Sequence, residues 1–165
     1  YAVAFHPMFA FFATSSADTS TILYDISTCS IAVKYHLQHH LYSISTIAFH
    51  PSLLFLATGS LDNSAIIYDI STLPPIIQHR LQDHIDCING VAFHPHLSLF
   101  ATCSDDETTI IYDMSISPPI FKYHLNCYSN HHNKYVNGIA FHSRLPLIIT
   151  CLENNSGILY NLDKI

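Results

Sequence analysis

The chain has 165 residues, 49% of them hydrophobic, which is enough for one domain with a sizeable core and excludes a disordered tail. Charged residues make up only 11%, less than half of the usual quarter, so solubility rests on Ser, Thr, Asn and His. A formal charge of −6 with six Lys and Arg in no basic cluster excludes direct phosphate-backbone binding.

In chain order, a short strand Val3–Phe5 ends in the block Ala4-Phe5-His6-Pro7, and a second strand spans Phe11–Ser16. The same block returns at Ala48-Phe49-His50-Pro51 and Ala92-Phe93-His94-Pro95, and a fourth time as Ala140-Phe141-His142-Ser143. Each Phe is followed at fixed distance by a Tyr: Tyr24, Tyr68, Tyr112 and Tyr160. Asp25, Asp69 and Asp113 come next in the first three copies and Asn161 in the last. From Phe to Phe the period is 44, 44 and 48 residues, the signature of a repeat architecture.

Within one period the second copy predicts four strands. Ile44–Phe49 closes on the His-Pro turn, because Pro lacks an amide donor and presets its own φ. Leu54–Ser60 follows, then a polar turn Leu61–Ser64, then Ala65–Ile70 with its Tyr. Ile76–Arg80 is a more variable outer strand, entered through Pro74-Pro75 where an edge tolerates proline. The third copy repeats this over Ile88–Phe93, Leu99–Ser104, the turn Asp105–Thr108 and the entry Pro118-Pro119; the fourth offers Val136–Phe141 and Leu147–Leu152. No stretch has a helical apolar period, so the chain reads as all-β.

These residues resemble the WD-repeat family over essentially the whole chain. The second copy shows His40-x-x-x-Ile44-x-x-Ile47-Ala48-Phe49-His50-Pro51, then Thr58-Gly59-Ser60-x-Asp62, then Tyr68-Asp69. His84, Thr102, Asp106 and Tyr112 form the same frame in the third copy, and His132, Thr150, Asn154 and Tyr160 in the fourth. The distance from His to the turn Asp or Asn is constant. The resemblance implies β-propeller blades of four antiparallel strands each, about four of them, in approximate spans 1–39, 40–83, 84–131 and 132–165. It implies an incomplete, open part of a seven-bladed ring; a closed four-bladed ring is the alternative. In each blade it implies a hydrogen-bonded tetrad of His, Thr, turn Asp and the family's Trp. No Trp is present: Tyr stands in its place in all four copies, and His39, Asp83 and His131 stand where the family has Gly before the His. A phenol reaches differently from an indole, so the tetrad's geometry is left open.

The resemblance also implies a non-enzymatic scaffold for protein–protein interaction, with other proteins as partners in a complex and with no nucleic acid, membrane or small-molecule substrate. Rim loops on a rigid scaffold commonly carry binding, which makes Tyr42, Leu61, Asp86, Asp105 and Tyr135 the candidate contact residues. Catalytic, cofactor and metal residues are expected to be none. His, Asp and Thr recur in every blade, unlike a single catalytic centre, and no G-x-S-x-G elbow is present. Thirteen histidines raise a second possibility, a metal- or pH-responsive module, with His39-His40, His79 with His84, and His131-His132 in successive connections. A third is a truncated segment without independent function. Five cysteines in no CxxC pair favour a reducing, intracellular setting, cytoplasmic or nuclear. Cys103 and Cys151 stand at the small strand positions of Gly59 and Ser15, which predicts burial. The insertion around Asn126–Asn133 is the one blade-specific feature, and an initial Tyr predicts a start inside a longer protein.

Overall fold

The structure, a computed structural model, describes residues 1–28, 30–127 and 135–165. It is all-β among the described residues, with four antiparallel sheets in sequence order. The first holds β1 (Ala2–Phe5), β2 (Phe11–Ser15), β3 (Thr21–Asp25) and β4 (Ala32–Leu37). The second holds β5 (Ile44–Phe49), β6 (Phe55–Ser60), β7 (Ala65–Asp69) and β8 (Ile76–Leu81). The third holds β9 (Ile88–Phe93), β10 (Leu99–Ser104), β11 (Thr108–Asp113) and β12 (Ile120–Asn126), and the fourth β13 (Val136–Phe141), β14 (Leu147–Leu152) and β15 (Gly157–Asn161). Each sheet is a meander, every strand hydrogen-bonded to the one before it.

The first strands stand side by side, β1 against β5, β5 against β9 and β9 against β13, so the sheets stack like blades in an open arc. Every position of β10 is buried, while the outer strand β8 is mostly exposed. This gradient explains the pattern seen in sequence. Middle strands covered on both faces become near-continuous apolar runs, and outer strands carry Lys, Arg and Gln. In each complete sheet the ladder between third and fourth strands slips by one residue just before the Tyr, at Leu23/Tyr24, Ile67/Tyr68 and Ile111/Tyr112. A bulge of this kind re-aims a side chain and increases local twist.

One core lies between each pair of sheets. Ala13, Leu23 and Leu37 of the first sheet pack on Ile47, Phe49, Leu56 and Tyr68 of the second. Ala57, Ile67 and Leu81 repeat that arrangement against Phe93, Phe100 and Tyr112, and Ala101, Ile111 and Leu125 against Phe141, Ile148 and Tyr160. The His of each His-Pro turn joins in. Its Nδ1 accepts two backbone N–H groups of its own turn, from Met8 and Phe9 at His6, Ser52 and Leu53 at His50, His96 and Leu97 at His94, and Arg144 and Leu145 at His142. The ring then lies against the next sheet's Phe: His6 on Phe49 at 5.1 Å between centroids, His50 on Phe93 at 5.1 Å, His94 on Phe141 at 5.0 Å. One residue thus shapes a turn and couples two blades.

The turns between second and third strands place a residue in the left-handed region in every sheet: Thr19 (φ 72°), Asn63 (64°), Glu107 (68°) and Asn155 (61°). Asn tolerates this region, whereas a β-branched Thr is strained there. Thr19→Asn is therefore expected to raise stability by about 1 kcal/mol, read as a higher urea midpoint; Asn63→Thr should lower it by a similar amount.

Cys103 is fully buried, but Cys151 at the same repeat position is exposed, contrary to the expectation from sequence. The difference is one of place. Cys103 is covered by the following sheet, next to Val136 and Leu152, and among the described residues no sheet covers Cys151.

Candidate functional site

In the second blade His40 sits under the rim with its ring buried. Its Nδ1–H donates to Asp62 Oδ2 at 2.9 Å, and its Nε2 lies 2.7 Å from Thr58 Oγ1. Asp62 also accepts the Leu41 amide (2.9 Å), the Ser64 amide (3.0 Å) and the Ser64 hydroxyl (2.6 Å). The third blade repeats this closely. His84 Nδ1–H donates to Asp106 Oδ2 at 2.8 Å, and Nε2 is 2.8 Å from Thr102 Oγ1. The Ile85 amide donates to Asp106 at 3.1 Å, and Thr108 donates to it from its amide (3.0 Å) and its hydroxyl (2.5 Å). The turn Asp thus ties the strand 2–3 turn to the connection that enters the blade.

The tyrosines sit next to this cluster but differ in partner. Tyr68 is buried beside Thr58, with the His39 ring 5.6 Å from its own. Tyr112 donates its hydroxyl to Asp83 Oδ2 at 2.9 Å. Tyr160 lies 3.5 Å from the Cys127 thiol. Asp83 and Cys127 therefore bear on the network, although in sequence Asp83 reads only as a departure from Gly. In the fourth blade Thr150 is buried and Asn154 accepts the Ser156 hydroxyl at 2.5 Å. His132 lies outside the described residues, as does most of the insertion before it. The first blade has the same turn, with Asp18 accepting the Ser20 amide and hydroxyl at 3.0 and 2.6 Å.

Electrostatics follow from the geometry. Burial pushes the Asp62 and Asp106 carboxyls up, but hydrogen bonds from His, Ser or Thr and the backbone outweigh it. Asp62 is held far below the usual carboxylate range, and Asp106 at about 2. Burial pushes the Tyr68 phenol up to about 12. Burial also lowers His50 and His94, each assisted by a neighbouring histidine. In all of these His and Asp groups the folded pKa lies below the unfolded value, about 6.5 for His and about 3.9 for Asp. The unfolded chain therefore binds more protons as pH falls, and stability drops with it. Acidification should lower the thermal midpoint in two steps, a first beginning near pH 6.5 from the part-buried His39, His50, His79 and His94 and a second below about pH 4 from the turn aspartates. His50→Asn with His94→Asn keeps an oxygen acceptor for each turn and should shrink the first step without changing the second, the remainder of the first coming from His39 and His79, which burial also lowers.

Above this support runs a rim. Tyr42, Leu61 and Tyr135 are exposed apolar residues, Asp86 is exposed, and Asp105 is half-buried, accepting from the Asn89 amide group at 2.5 Å. Backbone bonds join each turn to its connection: Leu61 N–H to Ser43 O, Asp105 N–H to Cys87 O, Glu153 N–H to Tyr135 O. The Asn63 side chain reaches across to Ile85 O at 3.1 Å, linking second and third blades. Leu41 (80% exposed) and Ile85 (86%) also stand on this rim, held by the turn aspartates. Sequence reasoning missed both; their signal is the place directly after the buried His.

Of the histidines, His40 and His84 are engaged within blades and His6, His50, His94 and His142 within turns. Among the described residues, the one group of three potential metal ligands within reach of one another is Asp86, Cys87 and Asp105. Burial raises the Cys87 thiol, and the two carboxylates raise it further.

Compared with known families, residues 32–69 and 76–113 each match the WD domain, G-beta repeat. No curated protein matches the chain. Each matched stretch begins in the outer strand of one sheet and ends in the third strand of the next, so the sequence repeat and the blade are offset by one strand. Two stretches of the chain thus match the WD repeat, and four sheets built on a single plan have the form of WD-repeat blades of a β-propeller, open among the described residues.

Proposed function

We propose that the chain is a non-enzymatic scaffold whose rim, formed by Leu41, Tyr42, Leu61, Ile85, Asp86, Asp105 and Tyr135, docks other proteins of a multi-protein complex. The observation that carries this reading is a set of exposed apolar residues whose backbone is held from below. Leu41, Tyr42 and Ile85 are each more than 60% exposed, yet the amides of Leu41 and Ile85 are pinned by buried aspartates. A contiguous exposed apolar patch rimmed by polar residues marks an interaction surface. Because these residues are positioned before any partner arrives, little ordering entropy opposes docking. The His40, Thr58, Asp62, Tyr68 group and its counterparts act here as support, with no direct role in contact. A reducing intracellular location, cytoplasmic or nuclear, fits the free thiols of Cys87, Cys103, Cys127 and Cys151. Among the described residues, no helix is long and apolar enough to cross a membrane.

Quantitative affinity capture with the immobilised chain tests the reading. Proteins retained by the wild type should be lost from a Tyr42→Ala, Ile85→Asp variant that keeps its thermal midpoint. If every retained protein survives the substitutions, the rim is not the docking surface.

A further inference from the structure

The seam between the second and third blades departs from the other two at three positions toward the His-Pro turns. Between the first and second blades those positions hold Tyr35, Leu54 and Ile70, all packed into the first internal core. Between the third and fourth they hold Tyr123, Pro146 and Leu162. The middle seam carries His79, Ser98 and Met114 instead. An imidazole is smaller than a phenol and Ser is smaller than Leu or Pro, so side chains that fill the other seams are cut back together here. A cavity of about 180 Å3 opens at this place. The two blades that form it lie inside the arc, each covered on both faces, so the cavity owes nothing to the outer blades.

The lining divides by chemistry. Leu53 and Phe55 of the second blade and Met114 and Ile116 of the third supply apolar wall. His50, Gln78, Ser98 and Ser117 supply hydrogen-bonding groups. Nδ1 of His50 accepts the Ser52 and Leu53 amides at 3.2 and 3.0 Å, so the neutral ring carries its proton on Nε2. At His6 that nitrogen donates to Leu53 O at 3.1 Å, whereas at His50 it has no protein partner among the described residues. A nitrogen that holds its proton does not ligate a metal ion; it is offered to an acceptor. Among the described residues that line the cavity none is Asp, Glu, Lys or Arg. Burial lowers both His50 and His79, which are therefore neutral at pH 7. The Ser115 hydroxyl, also on the wall, is spent on Asp113 at 2.5 Å, itself paired with Lys122 at 3.0 Å. An anion finds no charge here to hold it.

We infer that this cavity is a second docking site, which receives one aliphatic side chain from an uncharged, extended segment of another protein. The volume is below the roughly 300–1,000 Å3 of a small-molecule site and suits a single side chain. The apolar walls take that side chain. The carbonyls that flank it accept from His50 Nε2–H and the Gln78 carboxamide, so neither partner buries an unsatisfied polar group. An extended segment suits the site because its carbonyls are not spent on one another, as those of a helix are. The cavity lies at the strand ends opposite the rim of Leu41, Tyr42 and Ile85, and either surface can fail without the other.

The test uses N-acetyl-leucine N-methylamide, one neutral peptide unit with one aliphatic side chain, titrated into the 165-residue chain and followed by NMR. Saturable shifts of His50 Nε2 and of the Met114 methyl group are expected, with a Kd of about 1 mM for a ligand of this size. The glycine analogue lacks the side chain and the aspartate analogue would bury a charge, so each should bind at least about 10-fold more weakly. Ser98→Leu and His79→Tyr each install the residue found at the first seam. Both should weaken the leucine probe at least about 10-fold while holding or raising the thermal midpoint, because they fill a void. Tyr42→Ala with Ile85→Asp should leave the probe's affinity unchanged, which separates this site from the rim. Absence of a saturable shift, equal binding of the aspartate analogue, or undiminished binding by the two filled variants would each overturn the inference.

Discussion

Asp106→Ala lowers stability by about 3–5 kcal/mol. The Asp106 side chain is 5% exposed and gathers four donors: the His84 ring, the Ile85 amide, and the amide and hydroxyl of Thr108. Alanine leaves all four without an acceptor in a place water reaches poorly, and each orphaned group costs about 1–3 kcal/mol before relaxation. The carboxylate, held at about 2 in the folded state, is a strong acceptor at neutral pH, so the loss is felt throughout the working range. Asp106→Asn keeps one oxygen acceptor but turns an N–H toward His84 Nδ1–H, and should fall between wild type and Ala. Asp18→Ala is the control. It occupies the same turn in the first blade, exposed and with no imidazole hydrogen-bonded to it among the described residues, so its urea midpoint should stay near wild type. Equal shifts for Asp18 and Asp106 would remove the His–Asp contact from the account.

Phe93→Ala is the second large effect, about 3–5 kcal/mol, the range for removing a buried aromatic ring. Phe93 is 9% exposed, lies 5.1 Å from the His50 ring and 4.7 Å from Phe100, and belongs to the core between second and third blades. The same substitution at Phe5, two repeats earlier in the frame, removes a ring that is mostly in water. Phe5→Ala should fall within about 0.5 kcal/mol of wild type, as surface substitutions do. Identical chemistry at identical repeat positions thus separates blade-on-blade packing from intrinsic strand preference. Comparable losses at the two positions would mean that the ring acts within its own sheet and not across the blade interface.

These contrasts show what the sequence could reveal. Strand positions were legible because each blade buries the same places, so Ala-Phe-His-Pro and the following Tyr recur in register and mark the turn, the inner strand and the third strand. The His–turn Asp spacing was legible for the same reason, since both residues are fixed by one recurring turn. Exposure at the ends of the arc was not. Val3, Phe5 and Cys151 have the local sequence of buried residues, and only the absence of a covering sheet among the described residues distinguishes them. The tyrosine partners were also hidden. Tyr112 finds Asp83, the residue before His84, while Tyr160 finds Cys127, directly after β12, so the partner differs from copy to copy. Leu41 and Ile85 escaped because an apolar residue next to a buried His reads as core, whereas its amide is held by the turn Asp and its side chain is turned outward.

The central claim is that four successive sheets lean on one another in an open arc, the middle two covered on both faces and the outer two on one. Amide hydrogen exchange, resolved by residue under native conditions, tests it most directly. Protection should be greatest in β6, β7, β10 and β11, lower in β2, β3 and β14, and least in the outer strands β4, β8 and β12. Exchange that is slowest in β1 or β15, or uniform across all four sheets, would contradict the arrangement.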